Sequence, residues 1–269
     1  MNLWHFSLKL LFNKSLIFAI IKAKSTMKVS YSRLSTFREC PFKYKCLYID
    51  NLWHLRKEKP YLSMGSSVHL ALKDFFRLKR SQRTLQNLGR LLKKNWIRKG
   101  YKDEKEEKEY ALRAWQMLSQ FYETYDPYTM PLMVEKNFEA KIEDNLVFSV
   151  RIDRVDKLPN GGYELIDYKT GRNTDIRKED EDLQLTIYYL ALQCRYRIRP
   201  TRFTYYFLED NKRVTTSRSE EQIQQGLANI KSIVQKIRNT REFLPDPNPF
   251  CSFCDFSEIC KGSSPNTSK

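Results

Sequence analysis

The sequence predicts an α/β chain: a helical amino-terminal region, a mixed sheet flanked by helices, and a metal-binding tail. Three observations carry this expectation. Apolar residues recur at helical spacing before Asp126-Pro127 and alternate at strand spacing after it. Strand and helix patterns then interleave as far as Arg238, and Pro245, Pro247 and Pro249 lead into three cysteines within ten residues.

With 269 residues, 41% hydrophobic and 13% aromatic, the chain can bury a sizeable core, and its 8 Gly and 10 Pro exclude collagen-like and low-complexity classes. The 48 basic against 32 acidic residues give a net charge of +16. A polyanion is therefore the first partner to consider, because basic side chains on phosphates release counterions. A solubilising surface is the plainer alternative. The longest apolar run, Leu16 to Ile21, is six residues, whereas a bilayer span needs about 20, so no membrane helix is expected.

Residues 1–26 carry Lys9, Lys14, Lys22 and Lys24 and no acid. They lack a cleavage site and the arginines of a transit peptide. They read as a basic extension, with Met27 as a candidate native start; removing them lowers the charge by four. The rest, 27–269, reads as one domain: a mainly helical part (27–130), a core (131–240) and a cysteine tail (241–269).

A helix is expected from Ser35 to Tyr48, an irregular stretch to Pro60, and a second helix opening at Gly65-Ser-Ser. Glu104 to Tyr125 reads as a long amphipathic helix with Ala111, Trp115, Leu118 and Tyr122 as its core stripe; acids from Asp103 to Glu109 suit its positive end. Strands follow at Leu132–Ala140, Leu146–Lys157 and Tyr163–Lys169, with turns at Asn145 and Pro159-Asn-Gly-Gly. A charged loop (172–182), a helix (Leu183–Arg195), strands at Phe203–Leu208 and near Val214, and a helix (Glu220–Arg238) complete the order.

The central constellation is Ile152-Asp153-Arg154-Val155-Asp156, a hairpin, then Glu164-Leu165-Ile166-Asp167-Tyr168-Lys169-Thr170-Gly171. Alternation along a strand puts Asp167 and Lys169 on one face and Ile166 and Tyr168 on the other. If Asp153 faces them from the neighbouring strand, two carboxylates converge as a hard divalent cation requires. Phosphodiester hydrolysis needs such an ion and gains from a nearby ammonium. An isolated Asp-x-Lys is more often a surface ion pair; here it emerges from an apolar strand, where unpaired charge is costly.

At these residues the sequence resembles the RecB-like nucleases of the PD-(D/E)xK superfamily, from about Tyr31 to Lys261, and is similar to the AddB carboxy-terminal and CRISPR-associated RecB-like exonucleases. Gly65-Ser-Ser-Val-His69 looks like the family's histidine helix and Gln184-Leu-Thr-Ile-Tyr188 like its Gln-x-x-x-Tyr motif. The resemblance implies a restriction-endonuclease-like core. It implies His69, Asp153, Asp167 and the Tyr168 carbonyl as ligands of Mg²⁺ or Mn²⁺, and Lys169 as the catalytic lysine. Gln184 and Tyr188 would support the site or touch nucleic acid. Glu135, in the preceding strand, is a weaker candidate for the site and reads first as a strand-edge surface carboxylate; Arg154 and Asp156 read as structural ion pairs.

Cys251-x2-Cys254-x5-Cys260 supplies three thiolates, and a tetrahedral or cubane site needs a fourth. Cys40, in Arg38-Glu39-Cys40-Pro41, is the best donor, with Cys46 as substitute if the register shifts. Spacing leaves Zn²⁺ and a [4Fe-4S] cluster both open. The resemblance, to the family's four-cysteine iron-sulfur subset, implies the cluster. Cys46 and Cys194 otherwise read as ordinary buried thiols.

The functional expectation is a metal-dependent, single-strand-preferring DNA exonuclease of repair, recombination or CRISPR adaptation, cytoplasmic and nucleoid-associated. The alternative is a DNA-end-binding subunit of a helicase-nuclease or adaptation complex; RNA is a third substrate to test. Basic segments Arg77–Arg83 and Arg90–Lys99, interleaved with Leu and Trp96, could track phosphates or be wet helix faces. No Gly-x-x-x-x-Gly-Lys-Ser/Thr loop is present, so ATP use would come from another chain such as a helicase partner.

Overall fold

The computed structural model describes residues 26–159, 161–172 and 178–262, with 178–182 described as backbone only. Except for Thr26, the amino-terminal extension lies outside the described residues, as do positions 173–177 of the charged loop.

The amino-terminal helix expected from Ser35 to Tyr48 is two helices, α1 (Tyr31–Glu39) and α2 (Pro41–Tyr48), preceded by a short strand β1 (Met27–Val29). The break is Cys40-Pro41. Proline holds its predecessor extended, and Cys40 has φ −163° and ψ 114°, while Pro41 occupies the first turn of α2. Helix α3 spans Pro60–Arg77, so Gly65 lies inside it rather than at its start. Proline again opens the helix, where no N–H is needed. Gly65 has a packing role: a Cβ there would lie 3.0 Å from Thr170 Oγ1.

Helix α4 (Leu85–Lys94) was not foreseen, although Leu85, Leu88, Leu91 and Leu92 recur at helical spacing and Thr84 caps it by accepting the Asn87 N–H. Helix α5 (Glu104–Thr124) follows the expected span. Asp103 caps it by accepting the Glu106 N–H at 2.8 Å, with three glutamates in the first turn. Its buried seam is Ala114, Met117, Leu118 and Phe121; Ala111, Trp115 and Tyr122 are half-buried flanks. The seam is rotated because this helix packs on both α3 and α4, and Trp115 turns towards Gly89 of α4.

Strands β2 (Pro131–Glu143), β3 (Leu146–Lys157), β4 (Tyr163–Lys169), β5 (Arg202–Phe207) and β6 (Lys212–Thr216) join β1 in one mixed sheet. Helix α6 (Lys178–Tyr196) links β4 to parallel β5, starting earlier than expected, and α7 (Glu220–Asn239) follows β6. A capping box at Ser219 and Gln222 fixes the start of α7.

Antiparallel β2 occupies one edge of β3 for most of its length. The other edge is shared: parallel β1 takes Leu146 to Phe148, and antiparallel β4 takes Arg154 to Lys157. Between them, from Ser149 to Asp153, β3 has no strand on that side among the described residues. One face of the sheet buries Phe148, Val150, Ile152, Leu165 and Phe203 with residues of α6 and α7. The other buries Ile166, Tyr168 and Tyr206 with α3, α4 and α5. The result is three layers, helix on sheet on helix.

Candidate metal centre and cysteine cradle

The gap along β3 is where the polar residues converge. The residues of β3 that pack on the α6–α7 side change from even positions (Phe148, Val150, Ile152) to odd (Val155) across Asp153. Strands β3 and β4 stop pairing at Arg154↔Ile166. Beyond that point the Asp153 carboxylate accepts the Tyr168 N–H at 2.8 Å, replacing a ladder bond with a side chain. In β2, Glu135 has φ 46°, a left-handed conformation unusual for a residue with a side chain. Such strain costs of order 1–3 kcal/mol and concentrates at functional sites.

His69, from the middle of α3, reaches across to these two strands. Its Nδ1 lies 3.2 Å from Glu135 Oε1 and 3.4 Å from Asp153 Oδ1. One ligand atom from each of His69, Glu135 and Asp153 falls within 4.8 Å of the others. Burial lowers the imidazole's affinity for a proton, but the charges of Asp153 and Glu135 outweigh it and raise the His69 pKa to about 10. Burial pushes the Asp153 carboxyl up, and His69, the Tyr168 N–H and Lys169 together bring it below the usual range.

Asp167 and Lys169 share a face of β4, as alternation requires, and meet at 2.7 Å. Helix α6 supplies the rest. Gln184 Nε2 donates to Asp167 Oδ1 at 3.0 Å, and Lys169 Nζ donates to Gln184 Oε1 at 3.1 Å. The Tyr188 hydroxyl donates to Asp167 Oδ1 at 3.2 Å and accepts from Gln184 Nε2 at 2.8 Å, and the Tyr205 hydroxyl reaches Gln184 Oε1 at 3.3 Å. Burial and the Asp153 charge raise the Asp167 pKa against the pull of Lys169. Asp167 Oδ2 is buried, faces the ammonium, and accepts no well-aligned hydrogen bond among the described residues. An imidazole, three buried carboxylates and an under-satisfied carboxylate oxygen are the donor chemistry a divalent ion such as Mg²⁺ or Mn²⁺ takes.

Of the foreseen side chains, His69 and Asp153 stand together, while Asp167, Lys169, Gln184 and Tyr188 form an adjoining cluster linked to them through the Asp153–Tyr168 N–H bond. The phenol of Tyr168 goes to the other face, accepting from Arg154 at 3.1 Å; the metal role expected of this residue concerned its carbonyl. Arg154 and Asp156 form a buried bidentate pair, at 2.8 and 2.5 Å. Glu135 is the correction: its side chain is 4% exposed, contacts His69, and is held by Arg151 at 2.5 Å. The usable signal was register, since β2 pairs Val134 with Arg154 and Lys136 with Ile152, leaving Glu135 beside Asp153.

Over residues 28–261 the sequence matches the profile of the PD-(D/E)XK nuclease superfamily. The chain belongs to that superfamily. No curated protein matches it. Among solved structures, the "putative exonuclease" of Eubacterium rectale superposes with a TM-score of 0.52 at 14% identity, covering 93% of each chain. The protein SSO0001 aligns at 13% identity and a TM-score of 0.43, covering 95% of this chain and 96% of that one. The first supports the nuclease fold as a whole-chain similarity. Within the described residues of this PD-(D/E)XK nuclease no helix is long and apolar enough to cross a membrane.

The second polar centre of the nuclease joins its ends. Cys40, between α1 and α2, lines one small cavity together with Cys251, Cys254 and Cys260. Two short 3₁₀ turns, Cys251–Phe253 and Ser257–Ile259, space the last three. Backbone N–H groups of Asp246 and Asn248 point at the sulfurs of Cys40 and Cys251, at 3.5 and 3.3 Å. Four thiols, two of them with backbone N–H donors on the sulfur, fit a [4Fe-4S] cluster or Zn²⁺. Cys46 is not in the cavity wall. It is buried beneath with Leu47 and Phe256, and burial lifts its thiol pKa to about 11. Cys194, expected to be buried, is exposed on α6 and donates to the Lys141 carbonyl.

Proposed function

We propose that this nuclease is a metal-dependent deoxyribonuclease that degrades single-stranded DNA from an end. Its pathway in this reading is repair, recombination or CRISPR adaptation, in the cytoplasm near the nucleoid. The observation that carries the reading is the junction of the His69–Glu135–Asp153 group with the Asp167–Lys169 pair through two adjacent strands. His69, Asp153, Asp167 and the Tyr168 carbonyl would hold Mg²⁺ or Mn²⁺, with Glu135 as a further candidate. A bound divalent ion supplies Lewis-acid polarisation of the scissile phosphate and a more acidic water.

The chain's own residues supply the rest. Lys169 presents an ammonium where negative charge grows on phosphate oxygens, and Gln184 holds it there while fixing Asp167. Tyr188 closes the buried side of the pair. Cys40, Cys251, Cys254 and Cys260 would hold the [4Fe-4S] cluster, a clamp between sequence-distant segments that constrains the unfolded chain. The exonuclease name of the Eubacterium rectale fold relative supports attack at ends, and the +16 charge supports a polyanionic substrate.

End-labelled single-stranded DNA given Mg²⁺ or Mn²⁺ is expected to be shortened progressively. Cleavage only of closed circular DNA, or only of RNA, would overturn the assignment of substrate.

A further inference from the structure

Helices α4 and α5 and the segment between them enclose a groove of about 660 Å³ that the proposed chemistry does not use. Trp96 and Trp115 form its apolar walls, with Leu92, Gly89 and Ala111 beneath. The groove is open because residues there are small: a Cβ on Gly89 would lie 3.1 Å from the Trp115 ring. Trp96 is fixed on both sides, stacked on Tyr101 at 5.8 Å between centroids and donating its indole N–H to Glu107 at 3.0 Å. Arg98 occupies the same carboxylate at 2.8 Å, so that acid is neutralised.

The rim is cationic. Lys93 and Lys108 are exposed and line the groove, and neither is in an ion pair at contact distance among the described residues. Glu104 is the remaining acid of the lining. Flat aromatic walls beside exposed ammonium groups are complementary to a nucleobase with its phosphates.

The groove is tied to the metal centre. The Ile97 N–H, next to Trp96, donates to Ser67 Oγ at 2.9 Å, and Ser67 lies two residues before His69 on α3. Two residues turn a helix by about 200°, so the two sites flank opposite sides of one helix, whose diameter with side chains is about 10 Å. We propose that this groove holds a base of the single DNA strand undergoing degradation, with its phosphates on Lys93 and Lys108. The proposal rests on the nuclease reading for the identity of the strand.

The test is binding of a fluorescein-labelled oligothymidylate in EDTA, read by anisotropy over a range of salt, so that it does not depend on hydrolysis. Ala111→Phe fills the groove and is expected to weaken binding about tenfold, as loss of one stacked base does. Lys93→Gln with Lys108→Gln, both on exposed positions, is expected to flatten the log–log salt dependence by about 1.4, the share of two single-strand phosphate contacts. Unchanged affinity in Ala111→Phe, or no binding by the native chain, would overturn the groove assignment. A native chain that binds in this way yet cleaves no DNA with any divalent ion would instead overturn the nuclease reading and leave the groove standing.

Discussion

The Asp153 carboxylate accepts the Tyr168 backbone N–H where β3 and β4 cease to pair, so one side chain both closes the sheet and faces His69. These two duties separate by substitution. Asp153→Asn keeps an acceptor oxygen for the Tyr168 N–H but loses the charge facing His69, and is expected to lower stability less than Asp153→Ala while cleavage falls by about a hundredfold. Asp153→Ala leaves a buried N–H without its partner and is expected to cost about 1–3 kcal/mol in addition. Denaturant unfolding of the two variants beside a cleavage assay checks the split; equal stability loss in both would contradict it.

Gln184 binds both members of the Asp167–Lys169 pair. Gln184→Ala is expected to lower turnover about 10–100-fold with smaller change in affinity for DNA, because it frees the ammonium without removing it. Tyr188→Phe, which removes one of two donors to Asp167 Oδ1, should do less. A Gln184 variant with native turnover would show that the bridge has no role in the reaction.

The buried Arg154–Asp156 pair packs its guanidinium 4.3 Å from the Phe76 ring centroid. Arg154→Met strands a buried carboxylate and is expected to destabilise by about 3–5 kcal/mol. Adding Asp156→Leu should recover most of that loss. Additive destabilisation in the double variant would refute the coupling.

Cys40 and Cys251 line one cavity although they are far apart in sequence. If they hold one shared group, Cys40→Ser and Cys251→Ser each lower the melting temperature, and the double variant lowers it little further. A brown protein after anaerobic purification is the result expected for iron and sulfur; a colourless one releasing zinc would exclude the cluster. Additive losses would mean that the thiols act separately.

Much of this was legible in the sequence because the strands carry local information. The bounds of β3 and β4 follow from alternation and from the turn residues around them, and with them the shared face of Asp167 and Lys169. Helix boundaries set by context were less visible. Nothing local shows that Gly65 sits mid-helix against Thr170, because the reason lies on another element. Glu135 was ranked too low for the same reason. Its position looks like an edge carboxylate until β2 is laid against β3, where it joins His69 and Asp153. Helix α4 did carry a local signal, with Leu85, Leu88, Leu91 and Leu92 at helical spacing behind the Thr84 cap, which reading its basic residues as a phosphate track passed over.

The central claim is that His69, Asp153 and Asp167 grip one divalent ion beside the Lys169 ammonium. Anomalous diffraction from crystals soaked in Mn²⁺ tests it most directly. The account predicts a single strong peak in contact with those three side chains, absent from Asp153→Ala and Asp167→Ala crystals. A peak elsewhere, or full metal-dependent cleavage by both variants, would contradict it.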